Sequence, residues 1–222
     1  DRAMGLYQRQ KKYFEKAYET GTHGWPTVGP TPFVLRALSR IRKAAAPARG
    51  RILDLGCGEG RHTLACAREG FEVVGLDYQP LAIRRARAFA RQQKVRGRFR
   101  FMVGDAFRLP FPSNAFDAII DYGCLHHVKI ADTRRYFESV LPRLKPGGHF
   151  ILSCFSTRFK HHPGERRSRN WLVHRGHYDR FFRKQDFKTL FGKQFDILKI
   201  EERGNGLYVF WDVLMRKKQD QI

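Results

Sequence analysis

Three glycines in five positions, Gly56, Gly58 and Gly60, follow the apolar run Ile52-Leu-Asp-Leu55 and lead into a helix-compatible stretch at 63–68. A strand that feeds such a turn and then a helix brings bare backbone and a helix N-terminus up to a ligand. The spacing is GxGxG. A dinucleotide fingerprint needs its third glycine at position 61, where this chain has Arg61, so the spacing speaks against NAD or FAD. Asp54 lies at the end of the first run, and a second apolar run at 71–77 ends in Asp77. That places a carboxylate roughly twenty residues past the turn, where a ribose hydroxyl pair would lie. A fourth run at 116–121 ends in Asp121, with Tyr122, His126 and His127 just beyond it. Open parallel sheets bind ligands beyond the carboxyl ends of their strands, so the chemistry is expected here.

Asp54, the glycine turn and Asp77 together resemble the class I methyltransferases that depend on S-adenosylmethionine (SAM). Gly104-Asp-Ala106 after a third strand at 99–103, and Leu144-Lys-Pro-Gly-Gly148 before an apolar strand at 149–153, extend the likeness over residues 50–156. The resemblance implies an α/β fold. It would be a single Rossmann-like class I methyltransferase domain, a seven-stranded, mostly parallel sheet with an antiparallel last strand and helices on both faces. It also implies that Gly56, Cys57, Gly58 and Gly60 hold the amino-acid end of SAM near Asp54. Asp77 would accept from the ribose with Tyr78 beside it, Asp105 and Ala106 would flank the adenine, and Asp121 would close the cofactor side.

A narrower likeness rests on Asp121-x-Gly-Cys-x-His-His127, Ser153-Cys-Phe-Ser156, the run Tyr13-Phe14-x3-Tyr18, and Gly24-Trp25-Pro26. These resemble the small bacterial methyltransferases of the tellurite-resistance and thiopurine groups, which act on small, soft nucleophiles. The segment 157–180 departs from that group's shorter loop.

The elements that must position these residues fit one domain. At 222 residues the chain can bury a real core. Residues 1–49 read as N-terminal helices and a lid loop, 50–156 as the SAM-binding core, 157–180 as a basic insert over the substrate side, and 181–222 as a closing helix and strand pair. Residues 1–10 read as frayed, with Met4 as the natural start; a short amphipathic helix follows around Tyr13, Phe14, Ala17 and Tyr18, and 21–32 is a loop. Further helices are expected at 33–43, after Pro80, at 132–144 with Asp132 as its cap, and at 184–191; 44–50 is a linker. The last strands, 195–201 and 207–216, are joined through Gly204-Asn205-Gly206.

The formal charge is +22, from 43 basic and 21 acidic residues. Such a charge draws polyanions but identifies no site. Arg84, Arg87 and Arg91 form an outward stripe on one helix, and a phosphate track would need the same side to be basic elsewhere. Four scattered cysteines without a CxxC pair point to reduced thiols and a cytoplasmic protein. No apolar run reaches membrane-span length and no signal-peptide core is present. His161, His162, His174 and His177 match no zinc spacing, so no metal is expected.

A SAM-dependent transfer needs acceptor and methyl in line, and a general base only if the acceptor must lose a proton. The catalytic candidates are His126, Tyr122 and Asp121, with His126 as the base and His127 as a cap of the next helix. Trp25, Tyr122, His126 and His127 are the expected substrate walls. A small-molecule methyl acceptor is the first expectation. A nucleic acid is the second, although the fourth strand lacks the Asn/Asp-Pro-Pro-aromatic tetrad and no Pro-Cys nucleophile is present. A non-enzymatic SAM-binding scaffold is the third.

Overall fold

Ile52, Leu53, Leu55, Val73, Val74, Leu76, Ala118, Ile119 and Ile120 are all buried, so two apolar faces must be covered. Near-continuous apolar strands of this kind belong to parallel sheets with helices on both sides. The computed structural model describes residues 5–25, 29–44, 50–161, 163–204 and 207–219. In chain order its strands are β1 (Arg51–Leu55), β2 (Glu72–Asp77), β3 (Arg98–Val103), β4 (Phe116–Tyr122), β5 (Leu144–Phe155), β6 (Trp171–His174), β7 (His177–Arg180), β8 (Phe195–Arg203) and β9 (Phe210–Lys217). The helices are α1 (Leu6–Thr20), α2 (Pro32–Ala44), α3 (Arg61–Arg68), α4 (Pro80–Gln92), α5 (Thr133–Val140) and α6 (Lys184–Phe191).

Seven strands form one sheet in the order β3-β2-β1-β4-β5-β9-β8. β9 runs antiparallel to both its neighbours, and the other six strands are parallel to one another. The order reverses between β1 and β4, which opens the crevice where such sheets take ligands. One face packs Tyr136 and Val140 of α5 and Phe187 and Phe191 of α6. The other packs Val34, Leu38 and Ile41 of α2 with Cys66 of α3, and Ile83 and Ala86 of α4 lie beside Leu64. Phe116, Phe150, Phe182, Phe187, Phe191 and Phe195 are fully buried. Truncating any one to Ala would cost about 3–5 kcal/mol.

Six expectations need correction. The helix expected at 132–144 ends at Val140 and passes into a 3-10 turn at Leu141–Arg143, and Leu144–Gly148, expected ahead of the strand, forms the bulged start of β5. The N-terminal helix starts at Leu6 rather than after Gln10, because Gln10 is buried and bonded across the molecule. Asp132 does not cap α5 through its side chain; it accepts from the Tyr7 hydroxyl at 2.8 Å instead. The last strand starts at Phe210 rather than at 207. The insert is not irregular throughout, since β6 and β7 pair as an antiparallel hairpin. Residues 1–4, Pro26, most of the 44–50 linker, His162 and the Asn205-Gly206 step lie outside the described residues. Among the described residues all four cysteines are free, and no helix is long and apolar enough to cross a membrane.

Candidate active site

The glycine turn is a left-handed staircase. Gly56, Gly58 and Gly60 have φ of 69°, 54° and 86°, a region that side chains disfavour. A Cβ on Gly60 would lie 2.6 Å from the Phe101 ring, whereas one on Gly58 would meet only the Tyr18 hydroxyl, at 3.0 Å. Bare backbone is therefore required at Gly60 by the packing of β3, and at Gly58 by what lies over the turn. Gly56 and Cys57 donate to the Leu76 carbonyl, which ties the turn to β2. Beneath it, Asp54 accepts from the Thr63 hydroxyl at 2.6 Å, so this buried carboxylate joins β1 to α3. Burial pushes the Asp54 carboxyl up to about 6.

Asp77 closes the turn from the other side. Its carboxylate accepts from the backbone N–H of Gly58 at 2.9 Å and of Gln79 at 2.8 Å. Burial outweighs those bonds and holds its pKa at about 6. Tyr78 follows with its hydroxyl buried and unpartnered, as are Gln79 Oε1 and His23 Nδ1 nearby in the chain and lid. Gly104 donates to the Asp77 carbonyl, which brings the Asp105–Ala106 turn alongside. Asp105 is exposed and accepts from Phe107 N–H at 2.8 Å. Bare glycine backbone, a buried carboxylate and unpartnered polar atoms around one crevice fit an adenosyl amino-acid ligand.

α1 and the Trp25 loop lie over this crevice. Phe14, 5.9 Å from the Trp25 ring, also meets Tyr78 at 6.3 Å and His127 at 5.0 Å between ring centres. Tyr18 lies 5.5 Å from Trp25, and His23 stacks on the indole at 4.4 Å. Gln10 pins the helix down: its Nε2 donates to the His127 carbonyl at 3.1 Å, and its Oε1 accepts from Tyr178 N–H at 2.9 Å.

The two histidines beyond β4 part company. His126 is buried, stacks on Phe155 at 3.6 Å, and its Nδ1 accepts from Phe155 N–H at 3.2 Å. Burial holds this ring neutral, well below the ordinary histidine range. Asp121 is buried too, and accepts from the N–H groups of Cys124 and Leu125 and from the Tyr136 hydroxyl. Both side chains hold the turn that follows β4. Tyr122 packs on the α2 side of the sheet, with Arg61 over its ring at 5.0 Å and its hydroxyl accepting from Arg203 at 2.7 Å.

His127 is half-buried. Its Nδ1 lies 2.9 Å from the Tyr178 carbonyl and 3.1 Å from Asp179 Oδ1. The Tyr178 carbonyl is the acceptor, so Nδ1 carries the hydrogen, while Asp179 Oδ1 lies at ion-pair distance without accepting a hydrogen bond. Asp179 Oδ2 lies 3.1 Å from His177 Nε2, and His177 stacks on Tyr13 at 4.1 Å. The hairpin thus brings Asp179 and His177 beside His127, and the sequence singled out neither of them for this site. Gln10 was missed as well. A signal for the hairpin did exist in the glycine at 176, but Arg175 before it hid the turn. Among the described residues no group of His, Cys, Asp and Glu could hold a metal ion.

Residues 52–148 match the family described as a methyltransferase domain. An uncharacterized methyltransferase, YcgJ, of Bacillus subtilis is 35% identical over 112 residues, 50% of this chain and 43% of that protein. A 2-heptyl-1-hydroxyquinolin-4(1H)-one methyltransferase of Mycobacteroides abscessus is 28% identical over 59% of this chain and 55% of that protein. The chain thus spans about half the length of the curated relatives it matches. Among solved structures, the 1,6-didemethyltoxoflavin-N1-methyltransferase of Burkholderia thailandensis superposes with a TM-score of 0.74 at 20% identity, over 96% of this chain and 89% of that one. That likeness speaks for the fold. The sheet order and the staircase of glycines agree with the Rossmann-like methyltransferase fold, and residues 52–148 within it match a methyltransferase domain.

Proposed function

We propose that this protein transfers the methyl group of SAM to a small, planar acceptor bearing an ionisable O–H, N–H or S–H group. The observation that supports the acceptor class is His127, an imidazole whose Nδ1 hydrogen is fixed by the Tyr178 carbonyl with Asp179 at ion-pair distance, and whose Nε2 meets no hydrogen-bond partner among the described residues. A base so poised is useful only where the acceptor must shed a proton.

SAM would supply an electrophilic methyl on a sulfonium whose leaving group is a neutral thioether. Asp77 would hold the ribose hydroxyls, Tyr78, Asp105 and Ala106 would hold the adenine, and the glycine turn with the N-terminus of α3 would hold the amino-acid end. His127 Nε2 removes the acceptor's proton, and the Asp179 carboxylate stabilises the imidazolium that results. Tyr13, Phe14 and Trp25 offer ring faces and edges for a planar acceptor. The base role therefore passes from His126 to His127, and Asp121 with His126 becomes a positioning pair. Tyr122 shapes the wall near Arg61.

The similar proteins named for a hydroxyquinolinone and for didemethyltoxoflavin agree with a small heteroaromatic acceptor. The tellurite-resistance and thiopurine likeness belongs within the same reading, since a heteroaromatic thiol is both soft and ionisable. The test is a panel of hydroxy-, amino- and mercapto-substituted heteroaromatics, read by S-adenosylhomocysteine release with wild type and His127→Ala. Turnover that needs His127 supports the proposal; bound SAM with no turnover across the panel counts against it.

A further inference from the structure

Between positions 84 and 100 the chain carries 8 basic residues and no acidic one. The fold turns this run into a surface. Arg84, Arg87 and Arg91 line one side of α4, Lys94 continues beyond its end, and the chain returns along β3, the edge strand of the sheet. A hollow of about 430 Å³ lies between the two elements, lined by Arg87, Arg91 and Lys94 from one side and Phe99 and Arg100 from the other. The single-helix stripe thus has the second basic element that a continuous track requires.

Few of these charges are neutralised. Arg85 pairs with Glu59 at 3.1 Å and Arg98 with Glu72 at 3.7 Å, while Arg87 donates to the Phe101 carbonyl at 2.8 Å. Arg84, Arg91, Lys94, Arg96 and Arg100 are exposed and meet no carboxylate among the described residues. The 157–180 insert differs. There Arg158 pairs with Glu202 at 2.6 Å, and Arg167 pairs with Glu165 and lies over the Phe181 ring at 3.6 Å.

We propose that the α4–β3 edge is a docking track for single-stranded nucleic acid. Arginine dominates it, and a guanidinium fork matches phosphate oxygens in pairs where an ammonium offers a point charge. The half-buried Phe99 ring in the hollow gives a base a face to stack on. β3 is an edge strand, so its outer backbone groups, apart from the Phe101 carbonyl taken by Arg87, can add bonds to the nucleic acid. An anionic membrane is disfavoured, because Val103 is the one exposed large hydrophobic residue on these elements among the described residues. The hollow lies at the amino end of β3, away from the strand ends that carry the methyl-transfer site, so the proposal is independent of the acceptor.

The test uses the full chain and a labelled uridine oligomer of twelve nucleotides, titrated from about 50 to 300 mM salt. One variant carries Arg91→Glu, Lys94→Glu and Arg100→Glu; a control carries the same charge change at exposed Lys184, Lys188 and Lys193. The track variant should bind at least tenfold more weakly at low salt, with a log–log salt slope flatter by about two units, as three lost phosphate contacts require. The control should lose less than about threefold. Phe99→Leu should weaken the uridine oligomer but not an abasic strand of equal length. Thermal unfolding checks the fold, and if the triple variant melts early, Arg91→Gln with Arg100→Gln replaces it. Equal losses in track and control variants, no binding at low salt, or retention of phosphatidylglycerol vesicles in preference to the oligomer would overturn the proposal.

Discussion

Asp179 stands between two imidazoles, with Oδ1 3.1 Å from His127 Nδ1 and Oδ2 3.1 Å from His177 Nε2. Burial works to raise its pKa, but the two rings beside it hold the carboxyl well below the usual carboxylate range. The carboxyl is therefore held in its ionised form. The β6–β7 turn sets this geometry. Arg175 and Gly176 both have positive φ, 48° and 89°, the pattern of a tight two-residue hairpin, and that turn places Asp179 two residues into β7.

If this pair is the base, His127→Ala should lower kcat by about 10²–10⁴ with SAM affinity unchanged. Asp179→Asn should lower kcat less. The loss should fall on the methyl-transfer step, because the imidazolium formed there loses its counter-ion. A purely structural Asp179 would instead lower stability and spare the rate per folded molecule. Pre-steady-state methyl transfer and thermal unfolding separate the two outcomes.

His126 should behave in the opposite way. Its ring accepts a backbone N–H and stacks on Phe155, so His126→Ala leaves a buried donor unsatisfied and opens a gap. A destabilisation of about 1–3 kcal/mol is expected, with kcat per folded molecule within a few-fold of wild type. Chemical denaturation and an assay normalised to folded protein would show this. A catalytic collapse without loss of stability would return the base role to His126.

The contrast between these neighbours shows where the sequence was legible. The glycine spacing and the carboxylates closing the β1 and β2 runs announce local backbone chemistry, and the glycines do take left-handed φ; the LKPGG stretch, expected as a turn, is instead a bulged start of β5. Which of two adjacent histidines points inward depends on a short 3-10 turn at Leu125–His127, whose orientation is set by Asp121 and Phe155 from other elements. The β6–β7 hairpin was hidden because its turn uses Arg175 in a left-handed conformation, where Asn, Asp or Gly would have signalled it. Its four-residue strands also carry histidines and charges rather than a clean alternation. Asp179 could not be singled out before that hairpin was known.

The glycines separate packing from ligand access. Gly60→Ala would drive a methyl into the Phe101 ring at 2.6 Å while holding φ at 86°, so a loss of about 2–3 kcal/mol or more is expected. Gly58→Ala meets a single hydroxyl at 3.0 Å and should cost about 1 kcal/mol of stability, mostly from its φ of 54°. Its larger effect should be on SAM, with affinity falling at least tenfold. Calorimetry and thermal unfolding of both variants test this; normal SAM affinity in Gly58→Ala would leave the turn a mere connector.

If Asp77 holds the ribose of SAM, binding should depend on pH. Burial raises this carboxyl to about 6, above its ordinary 3.8, in spite of the N–H bonds from Gln79 and Gly58. Ribose hydroxyls donate to the ionised form, so binding must expel the proton wherever the free protein holds one. Affinity should rise about tenfold per pH unit below that value and level off above it, which makes SAM binding about tenfold weaker at pH 5 than at pH 7. The ligand-free protein should show the opposite trend. A folded pKa above the unfolded one means that the native state binds more protons between about pH 4 and 6. Stability from this group is full below the lower value and is lost as pH rises through the upper one. Asp54 and Asp121, both raised to about 6, share the trend, so the comparison must be with Asp77→Asn. That variant should bind SAM about 1.5–3 kcal/mol more weakly at pH 7, show a flat pH profile of binding, and lose part of the pH dependence of its melting temperature. Calorimetric titrations at about pH 5, 6 and 7 decide it. Unchanged affinity in Asp77→Asn, or a wild-type profile that stays flat through pH 5, would mean that the ribose rests on something other than this carboxylate.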